Sequence, residues 1–122
     1  KPNINDAFFD WLKTQPGISA DSAKSYSTPY LNKACRIWDE SMTHLTPLKN
    51  SLSLMIGESR YHNAIEQVLL TLEDKILQLV SRGEMNKRYG DNVRTSIHRF
   101  QDFIELSSPE NVDRQIQHFL VK

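Results

Sequence analysis

Ile65-Glu66-Gln67-Val68-Leu69-Leu70-Thr71-Leu72-Glu73-Asp74-Lys75-Ile76-Leu77-Gln78-Leu79-Val80 is the stretch on which the fold turns. Ile65, Val68, Leu69, Leu72, Ile76, Leu79 and Val80 follow one another at steps of three, one, three, four, three and one. That is the period of an amphipathic helix and not the strict alternation of a strand. The spacing predicts a helix from about Ser59 to Arg82, closed by Gly83. Leu70 and Leu77 widen its apolar stripe, so it is expected at the centre of a bundle.

Helical signals extend outward on both sides. Toward the N-terminus, Asn5 reads as an N-cap with Asp6 in the first turn. Phe8, Phe9 and Leu12 form one apolar stripe with Trp11 beside it, and Pro16-Gly17 ends that helix. Ser19 caps the next element, which carries Ala23 and Tyr26. Pro29 removes a backbone donor and crowds the preceding turn. A break is therefore expected there, with Thr28 as cap and Pro29 in the first position of a new helix. Tyr30, Leu31, Ala34, Ile37 and Trp38 give that helix one face, and it frays around Met42 to His44. Thr46-Pro47 repeats the start signal for a short helix with Leu48, Leu52, Met55 and Ile56, stopped by Gly57. Helical spacing makes core packing the expected role of Trp11, Tyr26, Tyr30 and Trp38.

Beyond Gly83, residues 84–92 read as a polar loop containing Asn86, Gly90 and Asn92, with Asp91 as the following cap. Val93, Ile97, Phe100 and Ile104, with Phe103 adjacent, mark the core face of the next helix. Ser107-Ser108-Pro109-Glu110 starts a last, short helix with Val112, Ile116, Phe119 and Leu120. The expectation is an all-α, five- to six-helix orthogonal bundle occupying residues 1–122 as one domain. Because the chain opens on Lys1-Pro2, it is expected to be a fragment or module of a longer protein, or a processed product.

Composition narrows the function classes. Of 122 residues, 39% are apolar and 25% charged, a globular mixture, with fifteen Lys and Arg balanced by fifteen Asp and Glu. The zero net charge removes the simplest argument for a nucleic-acid partner but leaves room for a local basic face. Cys35 is the single cysteine, which excludes an internal disulfide and a cysteine-rich zinc site and points to a buried filler. No apolar run approaches the roughly 20 residues of a membrane span, and no signal-peptide pattern opens the chain. A reducing, cytoplasmic location is expected.

Candidate chemistry is sparse. His62 with Glu66 and His98 with Asp102 are each four apart on one helix face. That spacing could supply two metal ligands, but a surface hydrogen-bonded pair is far commoner. No metal or other cofactor is expected. The glycines are scattered as helix stops, no Gly-x-Ser-x-Gly occurs, and Glu73-Asp74 falls on the expected solvent face of the long helix. No catalytic residue is assigned, and no enzyme activity is expected. One segment is charge-biased: Arg82, Lys87, Arg88, Arg94 and Arg99 are opposed there only by Glu84 and Asp91. Tyr89 and Asn92 add stacking and polar capacity. Cations and backbone amides at a helix entrance can hold phosphate.

A family pattern runs through these elements. Phe8-Phe9-Asp10-Trp11-Leu12, Gly17-Ile18-Ser19 and Ser22-x-x-x-Tyr26-x-x-x-Tyr30-Leu31 resemble the opening of the SAM-like core-binding domain of phage integrases and other tyrosine recombinases. That opening typically reads Phe-x-x-Trp-Leu, a short turn, then Thr-x-x-x-Tyr-x-x-x-Leu. The run from Asn92 through Arg94, Thr95, His98, Arg99, Phe100 and Phe103 to Ile104 is similar to the last core helix of that domain. Similar helical segments also precede nuclease domains in bacterial restriction and defence proteins. The resemblance covers residues 7–105. It implies a four-to-five-helix domain that clamps one side of a DNA duplex. The positions it marks as DNA-facing are Arg94, Thr95, His98 and Arg99, with Lys87 and Arg88 in the preceding loop and Ser22, Lys24 and Ser25 on the second helix. The sequence departs from the family at Pro29, in the added length around residues 41–63, and in its neutral charge. A recombinase's catalytic Arg, His and Tyr set belongs to a second domain outside this chain. The resulting expectation is a non-catalytic DNA-binding module of a bacterial or phage recombination or restriction protein, with double-stranded DNA as partner. The alternative is a helical protein-interaction or dimerisation domain that meets a partner, or itself, through the last helix, or a partner through an exposed part of the aromatic cluster.

Overall fold

The computed structural model describes residues 3–106, which form an all-α bundle. The elements are α1 (Ile4–Lys13), α2 (Ala20–Ser25), a π-helical turn (Tyr26–Tyr30), α3 (Leu31–Ser41), α4 (Leu48–Met55), a 3-10 turn (Ser59–Tyr61), α5 (His62–Ser81) and α6 (Lys87–Leu106). The final segment expected from Ser107 to Leu120 lies outside the described residues.

The helix starts follow capping chemistry, shifted in three places from the sequence reading. The N-cap of α1 is Asn3, whose Oδ1 accepts the Asn5 N–H at 2.8 Å. Asn5 itself is buried inside the helix and serves the core instead. Ser19 caps α2 as expected, accepting the Ser22 N–H at 3.1 Å. At α4 the cap is tertiary: Asp39 Oδ1, on α3, accepts the Leu48 N–H at 2.9 Å, which leaves Thr46 no capping role. Asn86, not Asp91, caps α6, accepting the N–H groups of Arg88 at 2.9 Å and Tyr89 at 3.3 Å. The expected loop 84–92 is therefore mostly the first turns of α6.

Gly90 explains that difference. Three glycines are stops with positive φ, at 81° for Gly17, 77° for Gly57 and 75° for Gly83. Gly90 is instead helical and buried, and a Cβ there would lie 2.8 Å from Val80 Cγ2 and 3.3 Å from Ile76 Cγ2. The missing side chain lets α6 cross close against α5.

Pro29 does not break the chain. The backbone stays in the right-handed helical region through Ser25, Tyr26, Tyr30 and Leu31, so α2, the π turn and α3 run on without interruption. A wider turn relieves the clash of the proline ring with the preceding carbonyl. Two carbonyls of the turn accept side-chain donors from neighbouring helices. Asn5 Nδ2 donates to the Ser27 carbonyl at 2.6 Å, and Ser96 Oγ donates to the Tyr26 carbonyl at 2.7 Å. Ser27 and Ser96 are fully buried. The turn is thus pinned to α1 on one side and α6 on the other.

One core joins the helices: Phe8 and Leu12 from α1, Leu31, Ala34 and Ile37 from α3, Leu48 and Leu52 from α4, Ile65, Leu69, Leu72 and Ile76 from α5, and Val93, Ile97, Phe100 and Ile104 from α6. Phe8 meets Phe100 edge-on at 5.1 Å and stacks on Phe103 at 5.7 Å, while Trp11 lies 5.4 Å from Phe103. Cys35 is buried among them, and that burial pushes its thiol up to about 12; nearby Lys49 opposes the rise and Asp39 adds to it. The central element is α6, which touches α1, the π turn, α3 and α5. The expectation that α5 is central fails because Leu70 and Leu77 stay 53% and 49% exposed on its outer side.

Candidate nucleic-acid interface

The π turn crosses the first half of α6 and builds a groove there. Tyr30 anchors the crossing: its ring meets Tyr89 edge-on at 5.5 Å, and its hydroxyl oxygen accepts Asn92 Nδ2 at 3.1 Å. Tyr26 lies beside it, with ring centroids 6.1 Å apart. The core packing expected of the aromatic group in the first third of the chain is seen at all four positions, since Trp11, Tyr26, Tyr30 and Trp38 are half-buried against the core. Trp11 packs on the phenylalanines, and Tyr26 and Tyr30 in addition line the groove, with Tyr30 against Tyr89. The groove has a volume of about 240 Å³ and is lined by Asp21, Ser22, Ser25, Tyr26, Tyr30 and Asn92.

Along α6, Arg88, Asn92, Thr95 and Arg99 fall at steps of four, three and four, which places them on one stripe of the helix. Arg88 is exposed and Arg99 half-buried, and neither forms an ion pair among the described residues. Thr95 Oγ1 is bonded back to the Asp91 carbonyl at 2.9 Å. The stripe runs beside the groove because Asn92 belongs to both.

The other expected contacts are placed differently. Arg94 turns toward α5, with Nη2 3.6 Å from Glu73 Oε2 and Nη1 3.7 Å from Asp91 Oδ1, and its Nε is buried without a hydrogen-bond partner. His98 Nε2 also meets Glu73 Oε2, at 2.7 Å, so its partner is not Asp102. Glu73 consequently faces α6 rather than solvent, because antiparallel packing of α5 and α6 brings it opposite both residues. Lys87 Nζ lies 3.4 Å from Asp91 Oδ2. Lys24 is exposed and does not line the groove. Of the nine residues singled out, Ser22 and Ser25 line the groove and Arg88, Thr95 and Arg99 share the adjoining stripe. Arg94, His98 and Lys87 are tied to carboxylates.

Asp21, Tyr26, Tyr30 and Asn92 complete the groove and were not assigned to a site from sequence. Starting α6 at Asn86 would have put Asn92 in register with Arg88 and Arg99. The pairing with the π turn had no sequence signal, since Pro29 reads as a break. A second concavity, about 260 Å³, lies between α3 and the end of α5, where Lys33, Lys75 and Arg82 meet Glu40 and Glu84. Its mixed signs largely offset each other.

Among the described residues no three of His, Cys, Asp or Glu gather as a metal site, and no helix is long and apolar enough to cross a membrane. These features define a helical bundle with a polar, tyrosine-walled groove beside a basic stripe. No protein-family model matches the chain, and no curated protein or solved structure matches it significantly.

Proposed function

We propose that this chain is a non-catalytic DNA-binding module of a bacterial or phage recombination or restriction protein, and that the α2–α6 face carries the contact. One observation carries the reading. Arg88 and Arg99, which lack ion-pair partners among the described residues, lie on the same helical stripe as Asn92, next to Ser22 and Ser25 of the groove. Two arginines whose backbone positions lie about 16 Å apart along a helix, at about 1.5 Å per residue, suit two separate, non-adjacent phosphates rather than one small anion. The uninterrupted helix through Pro29 also suits the resemblance, in which this helix is continuous. Arg94 is held by Glu73 and Asp91, so the working cations are fewer than the sequence suggested.

The test is a duplex-binding titration across salt concentrations. Affinity should fall steeply with salt, and Arg88→Ala with Arg99→Ala should weaken binding and reduce the salt slope by about one per lost phosphate contact. Absence of duplex binding at low salt and micromolar protein would refute the reading.

A second reading, a helical interaction or dimerisation module, draws on Leu70 and Leu77. They lie seven residues apart on the outer side of α5 and are half exposed. A mass that rises with concentration in light scattering, and returns to monomer in Leu77→Gln, would favour it over DNA binding.

A further inference from the structure

A third concavity, about 350 Å³, lies between α3 and the start of α4. Asn32, Arg36 and Asp39 follow one another on α3 at steps of four and three, so one stripe of that helix forms its wall. Lys49 and Asn50 close it from α4, and buried Cys35 lies at its base. Its volume exceeds the roughly 300 Å³ at which ligand pockets begin.

The charges here are not neutralised as they are at Lys87 and Arg94. Arg36 and Lys49 form no ion pair among the described residues. Glu40, four residues beyond Arg36, lines the concavity on the other flank of α3 instead. Asp39 is the one acid present. Its Oδ1 accepts the Leu48 N–H at 2.9 Å, so its charge is set against the positive start of α4 and opposes an anion less than a free carboxylate would. Two further contacts orient donors. Asn32 Oδ1 accepts Asn5 Nδ2 at 3.0 Å, which leaves the Asn32 Nδ2, on the other branch of the amide, with its hydrogens free. Burial raises the Cys35 thiol and the Lys49 charge is the influence that opposes it, which places the half-buried ammonium over the base of the concavity.

We propose that this concavity binds a phosphate group carried by a small molecule, with Arg36 and Lys49 as its cations and Asn32 as a neutral donor. A carboxylate offers one charge and two oxygens. A phosphate monoester offers a charge of about −1.5 to −2 and three acceptor oxygens, which two cations and an amide engage together. The site is separate from the α2–α6 face. Asn32 comes two residues after Tyr30, about 200° round the helix at about 3.6 residues per turn, so a duplex on the Arg88–Arg99 stripe faces another side of the domain.

The experiment titrates inorganic phosphate into ¹⁵N-labelled protein at fixed ionic strength, with acetate as the control anion. Phosphate at low millimolar concentration should shift the Lys49 and Asn50 backbone amides and the Asn32 side-chain amide, and the shifts should saturate. Acetate should bind roughly tenfold more weakly, the value of one charged hydrogen bond. Lys49→Gln should weaken phosphate binding roughly tenfold, and Arg36→Gln by less, its side chain being more exposed. Lys49→Arg, which keeps the charge, should retain most of the binding and so control for folding. The Arg36→Gln, Lys49→Gln double variant should keep the duplex affinity of the parent. Shifts that do not saturate, equal affinities for phosphate and acetate, or a double variant that loses duplex affinity as Arg88→Ala does would overturn the site. If the parent binds no duplex, the DNA reading falls and the phosphate titration alone decides this site.

Discussion

Asn5→Asp isolates the contact that pins the π turn to α1. Asn5 is 8% exposed, and its Nδ2 donates to the Ser27 carbonyl at 2.6 Å and to Asn32 Oδ1 at 3.0 Å. Aspartate has the same shape but, when ionised, no donor. Two acceptors then face a carboxylate. A buried acceptor left unsatisfied costs about 1–3 kcal/mol, and half-buried Asn32 can turn its oxygen toward water, so the loss should be about 2–4 kcal/mol. For a domain of this size the melting temperature should fall by roughly 10–15 °C. The loss should depend on pH. Once protonated, the introduced carboxyl regains one donor for the Ser27 carbonyl, so folding raises its pKa above the value of about 3.9 for aspartate in an unfolded chain. With a raised folded pKa, the stabilising term is fully present below the unfolded value and is lost as pH rises through the folded one. The gap between variant and parent should therefore widen from acid to neutral pH and then level off. Urea unfolding followed by circular dichroism at a series of pH values measures this. A variant within about 0.5 kcal/mol of the parent at neutral pH, or a gap that ignores pH, would refute the role given to Asn5.

Ser96→Ala removes the matching bond from α6 to the Tyr26 carbonyl; after a helix-propensity gain of about 0.5 kcal/mol, a net loss of about 0.5–2.5 kcal/mol is expected in the same unfolding assay. Thr95→Ala, one residue earlier and bonded only within its own helix, should change stability far less. Gly90→Ala should destabilise despite better helix propensity, because its Cβ would sit 2.8 Å from a β-branched Val80 methyl that cannot swing away; Val80→Ala in the same chain should recover much of the difference. Cys35 should react with a water-soluble disulfide reagent at mildly alkaline pH only as fast as the protein opens, since burial holds its thiol pKa at about 12; rapid stoichiometric reaction of the folded protein would contradict that placement.

Much of the fold was legible because its signals are local. The apolar period of Ile65 to Val80, the Ser19 cap, and the stops at Gly17, Gly57 and Gly83 each act within one or two turns of chain. The departures share a different origin. Gly90 carries a residue type that usually ends helices, yet it lies within α6, where glycine is required because Val80 and Ile76 leave no room for a side chain. Pro29 is a breaker in isolation, and the turn around it persists where Asn5 and Ser96 reach its carbonyls. Leu70 and Leu77 have the same side chain as Leu69 and Leu72, and only the position of neighbouring helices separates exposed from buried.

The candidate site follows the same division. Arg88 and Arg99 were recognisable from the basic bias of their segment, which can be read from the chain, whereas Ser22 and Ser25 came only from the family resemblance. Which cations remain available was decided by packing: Glu73 of α5 meets Arg94 and His98, and Asp91 meets Lys87, leaving Arg88 and Arg99 on the stripe. The groove itself joins residues 62 positions apart, as the bond from Asn92 to Tyr30 shows. Sequence by itself determined the helices, because helical hydrogen bonds, caps and apolar period act over three or four residues. The tertiary structure decided where one helix passes through a proline, which faces are covered, and which charges are neutralised, because these depend on partners that chain neighbours do not specify.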